Sequence, residues 1–317
     1  MIPHASVDLS TGPLDDAAVV RPFSGGRSMV LTVDVVTPIV DDPWDFGGIA
    51  AANSLSDVYA MGGRPEVALS FIGFPTDKLP LEVLAEVLAG MQAVCARARC
   101  AIVGGHTIVD AEPKAGLSVV GSVDPARVWS HRSAKEGQAL ILTKALGTGI
   151  TGQAIRAGAA SEALIRAATA QMLQLNDVAC EVGLDLGATS GTDVTGFGLL
   201  GHLKNLIEAS QLDADLDAAS VPLLDGVLDL AASGTIPGGS KRNLAFAAPV
   251  VTFTNEVSAT MRLLLADAQT SGGLLLCVPE SNAARAVQRL RDEGCARAAQ
   301  IGSLRAPVGT PRIHVRE

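Results

Sequence analysis

The chain has 317 residues, of which 48% are hydrophobic, 18% charged and only 3% aromatic. That balance excludes intrinsic disorder, which needs low hydrophobicity and high charge, and the length suits two domains. With 24 basic against 33 acidic residues the net charge is −9 and no basic run occurs, which argues against nucleic acid as a partner.

Residues 28–37 (SMVLTVDVVT) are a β-branched run that predicts a strand. A helix is predicted over 44–61, with Asp42 as its cap, Pro43 in its first turn and Gly62-Gly63 at its end. Residues 66–72 predict a strand, 80–98 a second helix, 101–105 a short buried strand and 115–123 another strand. The stretch 124–138 is more polar and breaks the pattern. It places an N-terminal domain over 1–123, a linker over 124–137 and a C-terminal domain over 138–317. Beyond the linker, 139–150 reads as a strand and a Gly-rich loop. A long helix is predicted over 161–182 with Ser161 as its cap, then a loop and a helix within 189–210. A strand at 274–278, a helix at 281–293 and a strand at 299–304 complete the pattern. Strands alternating with helices argue for an α/β or α+β fold.

No apolar stretch approaches the roughly 18 residues of a membrane span, and the start, MIPHASVDLS, lacks the basic-then-apolar order of a signal peptide. The five cysteines are odd in number and contain no CxxC, which points to a reducing, cytoplasmic compartment. Cys95 and Cys100 flank ARAR without a second pair, so buried or surface thiols are a better reading than zinc.

Five segments embed polar residues among small apolar ones: Asp15-Asp16, Asp34, Asn53 with Asp57, Gly105-His106-Thr107, and Asp193. A carboxylate in such a run is costly to bury unpaired, so it faces water, a donor or a cation. Asn53 and Asp57 are four apart and share one helix face. Near a helix C-terminus an anion is disfavoured by the helix dipole, which tilts Asp57 towards a role beyond solvation. Thr192, Thr195, Gly196 and Gly198 flank Asp193, where glycine lets backbone approach a ligand; an Asx turn explains that segment equally well. Carboxylates spread over separate segments suit Mg²⁺ bound with nucleotide phosphates.

Taken together, DDAAV, TVDVVTPIVDDPWDFGGIAAANSLSDVYAMGGRP, GGHTI, LTKALGTGI, GTDVTGFGLLGHL and AQTSGGLLL occur in the order seen in selenophosphate synthetases. The chain resembles that family, the selenide, water dikinases, from Asp15 onward. The resemblance implies an α+β, two-domain fold of the aminoimidazole-ribonucleotide-synthetase-like (PurM-like) type, whose N-terminal domain builds a barrel across a homodimer. It implies conversion of ATP, selenide and water to selenophosphate, AMP and phosphate. It implies Asp16, Asp57 and Asp193 as Mg²⁺ ligands, and Asp15, Asp34, Asn53, Gly105, His106 and Thr107 as ATP contacts.

One departure stands out. The family carries a reactive Cys or selenocysteine and a Lys ahead of DDAAV, and the fourteen residues before Asp15 contain neither. A start placed downstream of a selenocysteine codon, a shortened chain and a non-catalytic nucleotide-binding paralogue are the competing explanations. Low selenophosphate synthesis is the expectation. A different ATP-using enzyme of the superfamily, such as thiamine monophosphate kinase, is the alternative function.

Overall fold

The computed structural model describes residues 15–20 and 26–317. The first fourteen residues, where the expectation of an absent Cys and Lys falls, lie outside the described residues.

In the N-terminal half, β1 (Ala18–Val20), β2 (Ser28–Val36), β3 (Arg64–Phe74), β4 (Ala101–Val109) and β5 (Lys114–Val123) form one sheet in the order β1-β2-β5-β3-β4. Only β3 and β4 run parallel, joined through α2 (Leu81–Arg97); the other pairs are antiparallel. The helix α1 (Pro43–Ala60) starts as its sequence dictates. The Asp42 carboxylate accepts from the Asp45 N–H at 2.8 Å, and Pro43 occupies the first turn, where its missing donor costs nothing. It ends at Gly62, whose φ of +72° is open to glycine.

α1 is apolar nearly all round and buried along most of its length, because sheet, α2 and α4 (Glu162–Leu173) each take a side. Its contact with α2 is close because two glycines face each other's backbone. A Cβ on Gly47 would lie 1.9 Å from the Val87 carbonyl oxygen, and one on Gly90 1.9 Å from that of Trp44.

The C-terminal half is a seven-stranded sheet of β6 (Gln138–Leu142), β7 (Ser190–Asp193), β8 (Asp213–Asp217), β9 (Val251–Phe253), β10 (Leu274–Pro279), β11 (Ala299–Arg305) and β12 (Ile313–Arg316). Their order is β7-β10-β6-β11-β8-β12-β9. With them come α3 (Thr148–Arg156), α5 (Asp177–Asp185), α6 (Gly198–Ser210), α7 (Val227–Ala232), α8 (Gly238–Ala247), α9 (Ala259–Leu265) and α10 (Glu280–Asp292). The segment between the sheets holds two short 3-10 turns and buries Trp129 and His131.

Three elements differ from the sequence expectation. The strand expected to be short and buried over 101–105 runs on to Val109 and is almost wholly exposed, because β4 is an edge strand. The single helix expected over 161–182 is two, α4 and α5. No Gly or Pro marks the break. The Gln174 carbonyl accepts from the Lys144 ammonium at 2.7 Å, and Asn176 donates to Ser56 Oγ and the Gly272 carbonyl, both at 2.9 Å. Asp193, expected in a loop, ends β7 and pairs in register with Leu274.

All five cysteines are free and buried. Among the described residues no helix is long and apolar enough to cross a membrane.

Candidate functional site

Four segments bring their polar residues to one cavity of about 940 Å³ between the two sheets. α1 supplies Asn53 and Asp57 one turn apart, and β2 supplies Thr32 and Asp34 from the sheet face towards α1. The turn before β1 supplies Asp15 and Asp16, and the end of β7 supplies Asp193. The carboxylates predicted from separate sequence segments therefore meet.

Each is held by a specific partner. Thr32 Oγ1 donates to Asp57, and Asn53 Nδ2 donates to Asp34. The Val35 N–H also donates to Asp34, at 3.0 Å. Thr192 Oγ1 donates to Asp16 at 2.9 Å. Asp15 is bound by the Ser130 hydroxyl at 3.0 Å and the His131 N–H at 2.8 Å.

The cluster is electrostatically crowded. Burial, then the charges of Asp16 and Asp34, push Asp193 up to about 7 against the hydrogen bond from Ser56. Burial, then Asp193 and Asp16, hold Asp57 well above the usual carboxylate range, although Thr32 opposes this. Burial raises Asp34 against its donors Val35 and Asn53. Among the described residues, Asp16 Oδ2 and Asp193 Oδ2 are buried and accept no hydrogen bond. Two buried carboxylate oxygens without donors are costly unless a cation meets them. Asp16, Asp57 and Asp193 thus offer hard oxygen donors suited to a divalent ion. Among the described residues no three His, Cys, Asp or Glu side chains converge on one ion-sized point.

Two histidines add to the site. The His131 ring lies 3.8 Å from Asp15 and 3.7 Å from Asp16, too far for a hydrogen bond but close for charge. Burial works against its protonation, but Asp16, Asp15 and Asp193 outweigh it and raise its pKa. His202 is the opposite case: burial holds it down to about 4, so it is neutral. Its Nε2 accepts from the Thr195 N–H at 3.1 Å, which assigns the proton to Nδ1, 3.3 Å from Thr192 Oγ1. A directed chain runs from His202 through Thr192 to Asp16.

The loop 270–273 ties the two halves together. The Ser271 N–H donates to Asn53 Oδ1 at 2.8 Å. Ser271 has φ +48°, a left-handed conformation that is strained without glycine. Its carbonyl accepts from Lys144 at 2.9 Å, and burial lowers that ammonium to about 8. The Gly-rich context of Asp193 was a signal in the sequence, and Lys144 and Ser271 lie in the strings LTKALGTGI and AQTSGGLLL; nothing local marks His131.

Gly105, His106 and Thr107 do not join the cavity. They lie on β4, the far edge of the sheet. The register sets His106 in a row with Phe71, Gly116 and Val35, on the face opposite Asp34. Gly105 and Thr107 share the α1 face but sit three strands from β2.

Residues 14–123 match the AIR synthase related protein N-terminal domain, and residues 135–310 its C-terminal domain. The chain is 46% identical over 315 residues to the selenide, water dikinase of Myxococcus xanthus, covering 99% of this chain and 88% of that one. The chain belongs to the selenide, water dikinase family. Membership makes it a phosphotransferase. The fold of this family member is shared more widely. Thiamine monophosphate kinase from Aquifex aeolicus superposes with a TM-score of 0.68 at 17% identity, over 95% of this chain and 90% of that one. Hydrogenase maturation protein HypE in complex with ATP gives 0.68 at 22%, over 92% and 80%.

Proposed function

We propose that this chain transfers a phosphoryl group from ATP to selenide and hydrolyses the remaining anhydride with water, so that ATP, selenide and water give selenophosphate, AMP and phosphate. The observation that carries the reading is the buried, under-neutralised group of Asp16, Asp57 and Asp193 facing a nucleotide-sized cavity, in a chain 46% identical to a selenide, water dikinase. Each Mg²⁺ would take one or two of these carboxylates, with water and phosphate oxygens completing the shell, as that ion prefers. Bound there, the ion supplies neutralisation of charge developing on the phosphates.

The chain's own residues do the positioning. Thr32 fixes the Asp57 carboxylate, and Asn53 fixes Asp34 from one side while holding Ser271 on the other. Asp15, Asp34 and Asn53 are the ATP contacts within one chain, and the HypE neighbour with ATP supports a nucleotide in this fold. His106 would reach nucleotide from a second copy in a homodimer that covers the exposed sheet face, with Gly105 and Thr107 beside it on the same edge strand. On that face Val33 is 67% exposed and Leu69 50%. Five free buried thiols support a reducing, cytoplasmic setting.

The test is product analysis under anaerobic conditions with ATP, Mg²⁺ and selenide. Selenophosphate by phosphorus NMR together with AMP is expected. ADP as the sole nucleotide product would favour a simple kinase, and nucleotide binding without turnover a non-catalytic paralogue. The same assay measures whether turnover is slow.

A further inference from the structure

The C-terminus of α2 presses two thiols together. Arg99 takes φ +56°, its N–H donates to the Ala96 carbonyl at 3.1 Å, and the Cys100 N–H donates to the Cys95 carbonyl at 2.9 Å. This double hydrogen bond brings the third residue from the helix end against the second residue beyond it, a pair that ordinarily makes an apolar contact. α10 ends in the same way, and there the residues are ordinary. Gly294 takes the left-handed position with φ +112°, and the pair is Leu290 and Cys295. At α2 the pair is Cys95 and Cys100, and arginine occupies the position that favours glycine.

Both thiols line a cavity of about 580 Å³ with Leu88, Gln92 and Arg99. The neighbouring Cys95 thiol holds the Cys100 thiol below its ordinary range, against the effect of burial. Burial pushes the other three thiols up: Cys180 and Cys277 to about 12, and Cys295 to about 11. Thiolate is the nucleophilic form, so Cys100 is the reactive sulfur and Cys95 its resolving partner. An (i, i+5) pair joined by a backbone hydrogen bond also has the short backbone separation that a disulfide requires.

We propose that Cys95 and Cys100 form an oxidation site that a hydroperoxide closes to an intramolecular disulfide. The Cys100 thiolate attacks one peroxide oxygen, the O–O bond breaks, and hydroxide leaves, which takes up a proton. Cys95 then attacks the resulting sulfenic sulfur and expels the second water. Two thiols and one hydrogen peroxide give one disulfide and two waters, the two electrons passing from sulfur to oxygen. The bridge would fasten α2 to the first residues of β4, the strand that carries Gly105, His106 and Thr107.

The experiment uses the full chain, reduced, freed of thiol and treated with one equivalent of hydrogen peroxide, then alkylated after denaturation. Trypsin cuts after Arg97 and Arg99, so the two cysteines fall on separate peptides, 79–97 and 100–114. A bridge appears as those peptides joined, two hydrogens lighter than their sum, and separates on reduction. The joined species is expected to form roughly tenfold faster than Cys277 is lost. Separate, fully alkylated peptides at a dose that oxidises the other thiols would overturn the proposal. In Cys95→Ser, Cys100 should halt as a sulfenic acid that dimedone traps; no adduct at Cys100 in a folded variant would also overturn it.

Discussion

Asp193 shows what a single carboxylate costs here. Folded, it titrates near 7; its ordinary value is 3.8. The folded protein therefore binds a proton more tightly than the unfolded chain. Stability is fully present below about 4 on this account and declines as pH climbs through about 7. In EDTA, the melting temperature should rise as pH falls from 8 towards 5. Mg²⁺ should flatten that dependence, and Asp193→Asn should remove most of it while abolishing turnover. A melting profile independent of pH in EDTA would contradict this reading of the cluster. Asn53 makes a second case. Asn53→Ala strands the Ser271 N–H and removes a donor from Asp34, so a loss of about 1–3 kcal/mol in urea unfolding is expected, with weakened nucleotide binding. Asp57 and Asp193 were legible in the sequence because an acid among small apolar residues is conspicuous. His131 was not, because its meaning lies in contact with Asp15 and Asp16, more than a hundred residues earlier in the chain.

α1 was legible almost to the residue, since its cap, its proline and its terminal glycines are local signals. The break between α4 and α5 was not, since it is imposed by Lys144 and Asn176 reaching across the fold. Nor was the exposure of β4 legible. An apolar strand reads the same whether it lies at the centre of a sheet or at its edge. The tight crossing of α1 and α2 makes a prediction of its own. Gly47→Ala puts a methyl group against the Val87 carbonyl, a backbone atom that cannot swing aside. It should destabilise by about 3 kcal/mol or more in urea unfolding, despite alanine's higher helix propensity. The same substitution at Gly196, where a Cβ meets nothing within 4 Å, provides the control.

In the whole molecule, the β1–β5 sheet packs α1 on one face and leaves Leu31, Val33, Val35 and Leu69 exposed on the other. An apolar face of this kind marks an interaction surface. If a second copy covers it, Val33→Asp with Leu69→Lys should convert a dimer to a monomer in light scattering. The melting of the C-terminal half should be left unchanged.

The carboxylates of the cavity come from both halves of the chain: Asp16, Asp34 and Asp57 from one, Asp193 from the other. An ion held among them would act as a rivet. The repulsion that drives the halves apart in its absence would become the attachment that fixes them in register. Calorimetry can read that conversion: two overlapping unfolding steps without divalent cation, merging into a single steeper step once Mg²⁺ and nucleotide are added. On this view the ligand of the reaction is also the last structural part to be installed, and the enzyme is mechanically complete only when loaded.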